Sequence, residues 1–378
     1  MWVFGRDDDA EAIWKEVADE KNLLLLAPRR IGKTHLQHLL AEQAPDHGYK
    51  AILLDVQGFG AEKDFLSQLC SAIQEELTIG SKVIGSLTHR LNKALLGQGG
   101  AEKDWRSWLL EIDWKDFAQQ LLAQLDEEGG EHNWLILIDE LPIFVQELQA
   151  RSGTESISTF LSWLRRARLK YKSIRWILVG SIGLDTVARK YGLEGTINDL
   201  VPMGLEPFSE AVAKDFMDEI AARDGRHFST DALTHACDRL GWLSPYYLER
   251  VAKNACAKAD GEGAIDKNAV SDAMDQLLEL PSRLYWASWR DHLDRNFDQV
   301  TRLTLYRILA EMSKRKTGCS PDHLIATLSA AGVENVNTVV RDALNTLEND
   351  GFARKSGKNY RFRMNLLREW WLIYVVTR

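Results

Sequence analysis

The chain has little of what a secreted, membrane-bound or metal-scaffolded protein needs. Its four cysteines, Cys70, Cys237, Cys256 and Cys319, are scattered. Without metal-ligand spacing they exclude a cysteine-built metal site and fit reduced thiols in cytoplasm. No apolar run approaches the ~20 residues of a membrane-crossing helix. The opening residues, Met-Trp-Val-Phe-Gly-Arg-Asp-Asp-Asp, have no signal-peptide architecture. Positive charge is not in excess either. A net charge of −8 argues against a general nucleic-acid coat, while leaving room for a local basic patch. His35 and His38 lie three apart with no third ligand at useful spacing, so they read as packing or surface residues. There are no internal repeats, no low-complexity tracts and no Asn-Lys-x-Asp segment to read guanine.

What remains is a globular composition, 45% hydrophobic and 27% charged. At 378 residues the chain exceeds what one core holds, so two or three domains are expected. Its thirteen tryptophans read mostly as packing residues.

Residues 23–34, Leu-Leu-Leu-Leu-Ala-Pro-Arg-Arg-Ile-Gly-Lys-Thr, say most about chemistry. An apolar strand runs into a loop ending in Gly32-Lys33-Thr34, and helix-compatible residues His35 to Ala41 follow. This is the phosphate-binding pattern, Gly-x4-Gly-Lys-Ser/Thr, with Ala27 where the first glycine belongs. Successive loop N–H groups form a nest for phosphate oxygens. The N-terminus of the following helix adds roughly half a positive charge. In that setting Lys33 sits on the terminal phosphates and Thr34 offers its hydroxyl to Mg²⁺. Alanine at 27 keeps the side chain small but gives up easy access to positive φ.

A second apolar strand, Trp134 to Ile138, ends in Asp139-Glu140. At a strand end beside the phosphate loop, Asp139 would hold Mg²⁺ directly or through water. Glu140 would orient and activate the attacking water.

Between and after these lie further elements. Asp8 to Glu20 reads as a helix with Ala12, Ile13, Val17 and Ala18 on one side, and Ala51 to Val56 as a strand. Residues about 61–130 read as an inserted helical element. Phe65, Leu66, Leu69, Ile73 and Leu77 form one stripe, Gly97 to Gly100 make a break, and Trp105, Trp108 and Trp114 lie on later helices. Ser156 to Tyr171 is a helix, Ile174 to Val179 a strand, Asp185 to Tyr191 a helix and Leu200 to Leu205 a last strand. Strands alternating with helices predict a parallel sheet covered on both faces. The first domain therefore spans 1–207. Residues 208–282 read as an all-helical lid with helices at Ser209–Arg223, Thr230–Leu240, Pro245–Ala259 and Asp266–Leu280. Residues 283–378 hold three helices, Val300–Ser313, Ser320–Ala331 and Val336–Asn349. A hairpin over Phe352–Phe362 and a closing helix over Leu366–Val376 complete them, as in a winged helix.

These residues carry a resemblance to P-loop ATPases of the STAND branch of AAA+-like proteins, in particular the prokaryotic "archaeal ATPase" group. It covers nearly the whole chain. Phe4-Gly5-Arg6 looks like the family's adenine-side segment, Ala27 to Thr34 its arginine-bearing Walker A and Ile138 to Pro142 its Walker B. Ile177 to Ser181 looks like the sensor-1 strand. Gly241-Trp242-Leu243-Ser244-Pro245 is similar to the Gly-x-Pro lid motif, with its proline two residues late. The resemblance implies ATP/ADP with Mg²⁺ as cofactors. Nucleotide contacts come from Gly5, Arg6, Ala27, Pro28, Arg29, Arg30, Ile31, Gly32, Lys33, Thr34, His35, Ser181 and Pro245. Catalysis rests on Lys33, Glu140 and Arg189, and the metal on Thr34 and Asp139. It further implies a switch: nucleotide binds between the α/β domain and the lid, and exchange or hydrolysis moves lid and winged helix.

Other residues keep two readings. Arg189, or Arg165, Arg166 and Arg168, could serve as an arginine finger toward a neighbouring copy, or the latter three could form a solvated helix face. Arg29 and Arg30 could face phosphate or a partner, or pair with a nearby acid. Residues 313–363 hold nine Lys/Arg against five Asp/Glu. Arg354, Lys355, Lys358, Arg361 and Arg363 crowd the hairpin, where a wing would meet DNA phosphates. The recognition-helix position carries Arg341 beside Asp342 and Glu348, which suits protein docking better. Three functions follow: an ATPase switch; a DNA-bound ATPase resembling origin-recognition or transposition-target ATPases; or a non-hydrolysing scaffold whose protein partner, or second copy, reads the 61–130 insert.

Overall fold

The computed structural model describes residues 4–80, 113–127, 132–181, 184–258, 264–279 and 282–376. The Gly97–Gly100 break, Trp105 and Trp108 lie outside them. The chain divides into two compact units, Met1–Leu26 with Lys33–Gly204, and Ala27–Gly32 with Leu205–Arg378.

The first unit alternates helices and strands. Helix α1 spans Asp7–Ala18, strand β1 Asn22–Leu26, helix α2 Lys33–Gln43 and strand β2 Tyr49–Asp55. Helices α3 (Glu62–Gly80) and α4 (Trp114–Glu127) precede β3 (Asn133–Asp139). Then come α5 (Leu141–Lys170), β4 (Ile174–Gly180), α6 (Leu184–Lys190) and β5 (Leu200–Gly204). The five strands form one sheet in the order β2-β3-β4-β1-β5, with every pairing parallel. The central strands are apolar along their length because helices cover both faces. β4 is buried throughout, even at Arg175. Phe65, Leu69, Phe144, Phe160 and Trp163 from α3 and α5 make an aromatic layer against it. β5, at one end of the sheet, carries exposed Pro202 at its middle.

One expectation is corrected here. The buried face of α1 is Ala10, Ile13, Trp14 and Val17, and Ala12 and Ala18 are exposed. Trp14 stacks on His47 and donates to Gln43 Oε1 at 2.9 Å, and this anchor turns the helix. Strand β4 lies between β3 and β1 and pairs with both.

The second unit is helical. Its helices are α7 (Glu210–Arg223), α8 (Thr230–Leu240), α9 (Pro245–Lys258), α10 (Lys267–Leu278) and α11 (Arg283–Asn296). Ser209, Ser229 and Asp266 cap α7, α8 and α10 by accepting backbone N–H groups. Helix α11 is not marked by the periodicity reading. Its buried stripe is Trp286, Trp289, His292 and Leu293, set among charged residues. Helices α12 (Gln299–Ser313), α13 (Pro321–Ala330) and α14 (Val336–Asn349) precede a hairpin of β6 (Ala353–Ser356) and β7 (Asn359–Phe362). Helix α15 (Asn365–Trp371) follows. The order is three helices, a hairpin and a closing helix. Gly241, ending α8 at φ 69°, packs against α15: a Cβ there would fall 2.6 Å from Asn365 Nδ2. Among the described residues no helix is long and apolar enough to cross a membrane.

Candidate nucleotide site

In parallel sheets, ligands sit beyond the carboxyl ends of the strands, where the order reverses. The register brings those ends level: Leu26 of β1 pairs with Gly180 of β4, and Ile138 of β3 with Leu178. The segments leaving β1, β3 and β4 are the loop 27–32, Asp139-Glu140 and Ser181.

In the first unit, Lys33 opens α2 and is buried at 6% exposure. Thr34 Oγ1 donates to Asp139 Oδ2 at 3.2 Å. Although β4 separates β1 from β3, the contact is made because α2 packs on β2 and β3. Burial, and then the Glu140 charge beside it, pushes the Asp139 carboxyl above the usual carboxylate range. The Gln37 side chain and the Lys33 charge pull the other way. Gln37 is 2% exposed and lies one turn after Thr34. Sequence reasoning missed it. Its only signal is the i+3 spacing from the phosphate-loop threonine.

Glu140 sits in the left-handed region at φ 56° and ψ 30°, which is uncommon for a residue with a side chain and concentrates at functional sites. Its Oε2 accepts from Ser181 Oγ at 2.8 Å and from Ser181 N at 3.3 Å. Asp139 Oδ1 accepts from Glu140 N at 2.9 Å. The two strand-end acids therefore have fixed and different orientations: Asp139 toward Thr34, Glu140 toward Ser181. Arg6 is buried and paired with Asp9 at 2.7 Å, and Gly5 takes φ 62°. His35 and Arg189 are exposed.

The Arg165–Arg168 stretch is not a uniformly solvated face. Arg168, 2% exposed, grips Asp199 through Nε at 2.8 Å and Nη2 at 2.9 Å, and donates to Thr196 O. Burial pushes Asp199 up, but the hydrogen bonds and charge of Arg168, with Arg165, hold it below its ordinary value. Arg165 also reaches Asn198 Oδ1 at 3.1 Å, while Arg166 is exposed.

In the second unit, the loop 27–32 has its own set of partners. Ala27 is buried and does not take positive φ; Arg30 (φ 67°) and Gly32 (φ 100°) do. The glycine missing at 27 is thus not needed for the turn. No acid pairs with Arg30 among the described residues. Its guanidinium donates to Tyr247 Oη at 2.7 Å and to the Tyr285 carbonyl, and lies over the Tyr246 ring at 4.5 Å. Its own carbonyl accepts from Ser244 Oγ. Ser244 and Tyr247 flank Pro245, which begins α9.

Comparison with known proteins agrees with this fold. Residues 17–187 match the family model described as an AAA domain. Residues 17–187 therefore carry an AAA domain. The Walker-type ATPase Paby2304 of Pyrococcus abyssi has a similar fold: TM-score 0.68 at 15% identity, covering 97% of this chain and 95% of that one. The ORC2 protein of Aeropyrum pernix, in a structure with ADPNP and ADP, superposes with TM-score 0.58 at 16% identity over 97% and 91%. No curated protein matches the sequence.

Proposed function

We propose that this AAA+-type chain is a Mg²⁺-dependent ATPase switch of the STAND kind. One observation carries the reading: Thr34 and Asp139 are joined at 3.2 Å, while Glu140 is separately held by Ser181 at 2.8 Å. A metal-binding pair and an oriented base are what phosphoanhydride hydrolysis requires. The donor set also suits the ion. Among the described residues no group of three or more His, Cys, Asp or Glu could hold a metal. Mg²⁺ needs only one or two protein oxygens when substrate phosphates and water complete its shell. Thr34 and Asp139 would hold it, and the ion would supply neutralisation of phosphate charge. Lys33 binds the terminal phosphates. Glu140 takes the proton of the water that attacks the γ-phosphorus, and Ser181 keeps its carboxylate oriented. The products are ADP and inorganic phosphate. The fold relationship to ORC2, whose structure holds ADPNP and ADP, supports adenine.

Phosphate release by wild type, Glu140→Gln and Lys33→Ala tests the reading, and equal rates in all three would sink it. Lid and winged-helix movement is the proposed output.

A second reading rests on the hairpin. Arg354 and Arg361 are directly paired across it and Arg363 follows. Burial, and then the charges of Arg361 and Arg363, lowers the Arg354 pKa, so these cations repel one another. A phosphate backbone would relieve that repulsion. Duplex-DNA anisotropy across a salt series tests it. Binding indifferent to salt, or to charge reversal at Lys355 and Arg361, removes it.

A further inference from the structure

We infer that Ser244, Tyr247 and Arg30 form a clamp that fixes the turn of the phosphate loop, so that nucleotide affinity is set in part by helices α9 and α11. The inference rests on the nucleotide reading of that loop and lies within the second unit.

Arg30 is held at φ 67°, a region that side chains other than glycine rarely adopt. Such a conformation persists only where the surroundings over-determine it. Here both ends of the residue are pinned. The carbonyl accepts from Ser244 Oγ, and Ser244 is fully buried. The guanidinium donates to Tyr247 Oη and the Tyr285 carbonyl, with the Tyr246 and Tyr247 rings at 4.5 and 5.5 Å.

The partners are themselves immobilised. Tyr247 Oη also accepts from Trp289 Nε1 at 2.6 Å, and its ring stacks on Trp286 at 4.9 Å and 10°. Two residues before Arg30, Pro28 packs so closely on Gly351 that a Cβ at 351 would lie 2.7 Å from it. The loop is therefore fastened at Pro28, at the Arg30 carbonyl and at the Arg30 side chain.

The chemistry of the fastening matters. Each of these partners is neutral: a phenol, a carbonyl and two rings. Among the described residues these partners hold the guanidinium without cancelling its charge. A carboxylate partner would hold the turn equally well but cancel that charge. By linkage, whatever fixes the loop for nucleotide must in turn be tightened by nucleotide.

The test uses the full chain and a fluorescent ATP analogue read by anisotropy. Tyr247→Phe removes one hydroxyl and Ser244→Ala another. Each should raise the analogue's Kd by roughly tenfold, the effect of losing one hydrogen bond in a charged network. Arg30→Lys, which keeps the charge but loses the planar fork, should weaken binding similarly. The melting temperature without nucleotide should move by no more than a few degrees. The readout that a purely structural role would not move is the Trp289 resonance. It is observed by ¹⁹F NMR of 5-fluorotryptophan-labelled protein and assigned by its loss in Trp289→Phe. It should shift on adding ATP to wild type and stay fixed in Arg30→Ala. Kd values within about twofold of wild type in Tyr247→Phe and Ser244→Ala would overturn the clamp. A Trp289 signal indifferent to bound nucleotide would overturn it too. A wild-type chain that binds no analogue would remove the nucleotide reading itself, and the clamp with it.

Discussion

The acidic strand end Asp139–Glu140 and the loop Ala27–Gly32 differ in what holds them. The acids sit at the tip of β3, a strand buried along nearly its whole length and paired on both sides within the sheet. Their side-chain contacts, Thr34, Gln37 and Ser181, all come from the same unit. The loop takes its partners from Ser244, Tyr246, Tyr247, Tyr285 and Gly351, more than two hundred residues away in sequence. A rigid sheet edge suits proton transfer, which tolerates little misplacement. A loop fastened by remote helices suits a binding step that has to respond to those helices. Under the proposed function, the chemistry and its control are separable.

The sharpest way to break this comparison is at the edge. Glu140→Gln should lower phosphate release by about 10²–10⁴-fold, the usual worth of a general base, while analogue binding by the loop persists. Simultaneous loss of binding would show that edge and loop are not separable. Next in size, Arg168→Ala strands Asp199 without its guanidinium and should cost about 3 kcal/mol of stability, measured by urea unfolding. Because the folded state holds Asp199 below its ordinary pKa, that contribution is present above the unfolded value. It fades as pH falls through the folded one.

Ser181→Ala removes the hydrogen bond that orients Glu140 and should lower turnover roughly tenfold with little change in nucleotide affinity. A Kd change as large as the rate change would contradict a role confined to the edge. The pH dependence is a finer probe. Asp139 is held above the ordinary carboxylate range, so on acidification it protonates before other carboxylates do. Protonated Asp139 is a poor ligand for Mg²⁺. The half-saturating Mg²⁺ concentration for turnover should therefore rise on acidification, at a pH above the range where ordinary carboxylates titrate. For stability the sign is opposite to that of Asp199, since the fold disfavours ionised Asp139 and gains as it protonates. Smallest of all, Ser229→Ala uncaps α8 and should cost about 1 kcal/mol in a melting experiment, leaving the edge untouched.

Much of the first unit could be read from the chain because its signals are local. Leu23–Leu26 and Trp134–Ile138 are apolar runs of strand length, and each stops at residues proposed for the chemistry. The phosphate loop and the two acids were legible for the same reason. The strand order was not, since nothing in Trp134–Asp139 says that β4 intervenes before β1. Gln37 looked like any polar residue on a helix. The partners of Arg30 lie 217 and 255 residues away, so no local pattern could name them. Arg168 read as surface because its partner, Asp199, comes 31 residues later from a turn of no evident pattern. In the second unit the helices with serine or aspartate caps were found near their true limits. Helix α11 was passed over because arginines and aspartates interleave its Trp286, Trp289 and Leu293 stripe.

Pro202 in β5 has a further consequence. A parallel sheet that ends in open strands offers a template on which another polypeptide could add a strand. β5 closes one end of this sheet, is only five residues long, and carries at its centre a residue with no amide hydrogen to offer. The sheet is thereby blunted against growing by self-addition, so copies of this chain can crowd together without their sheets fusing along that side.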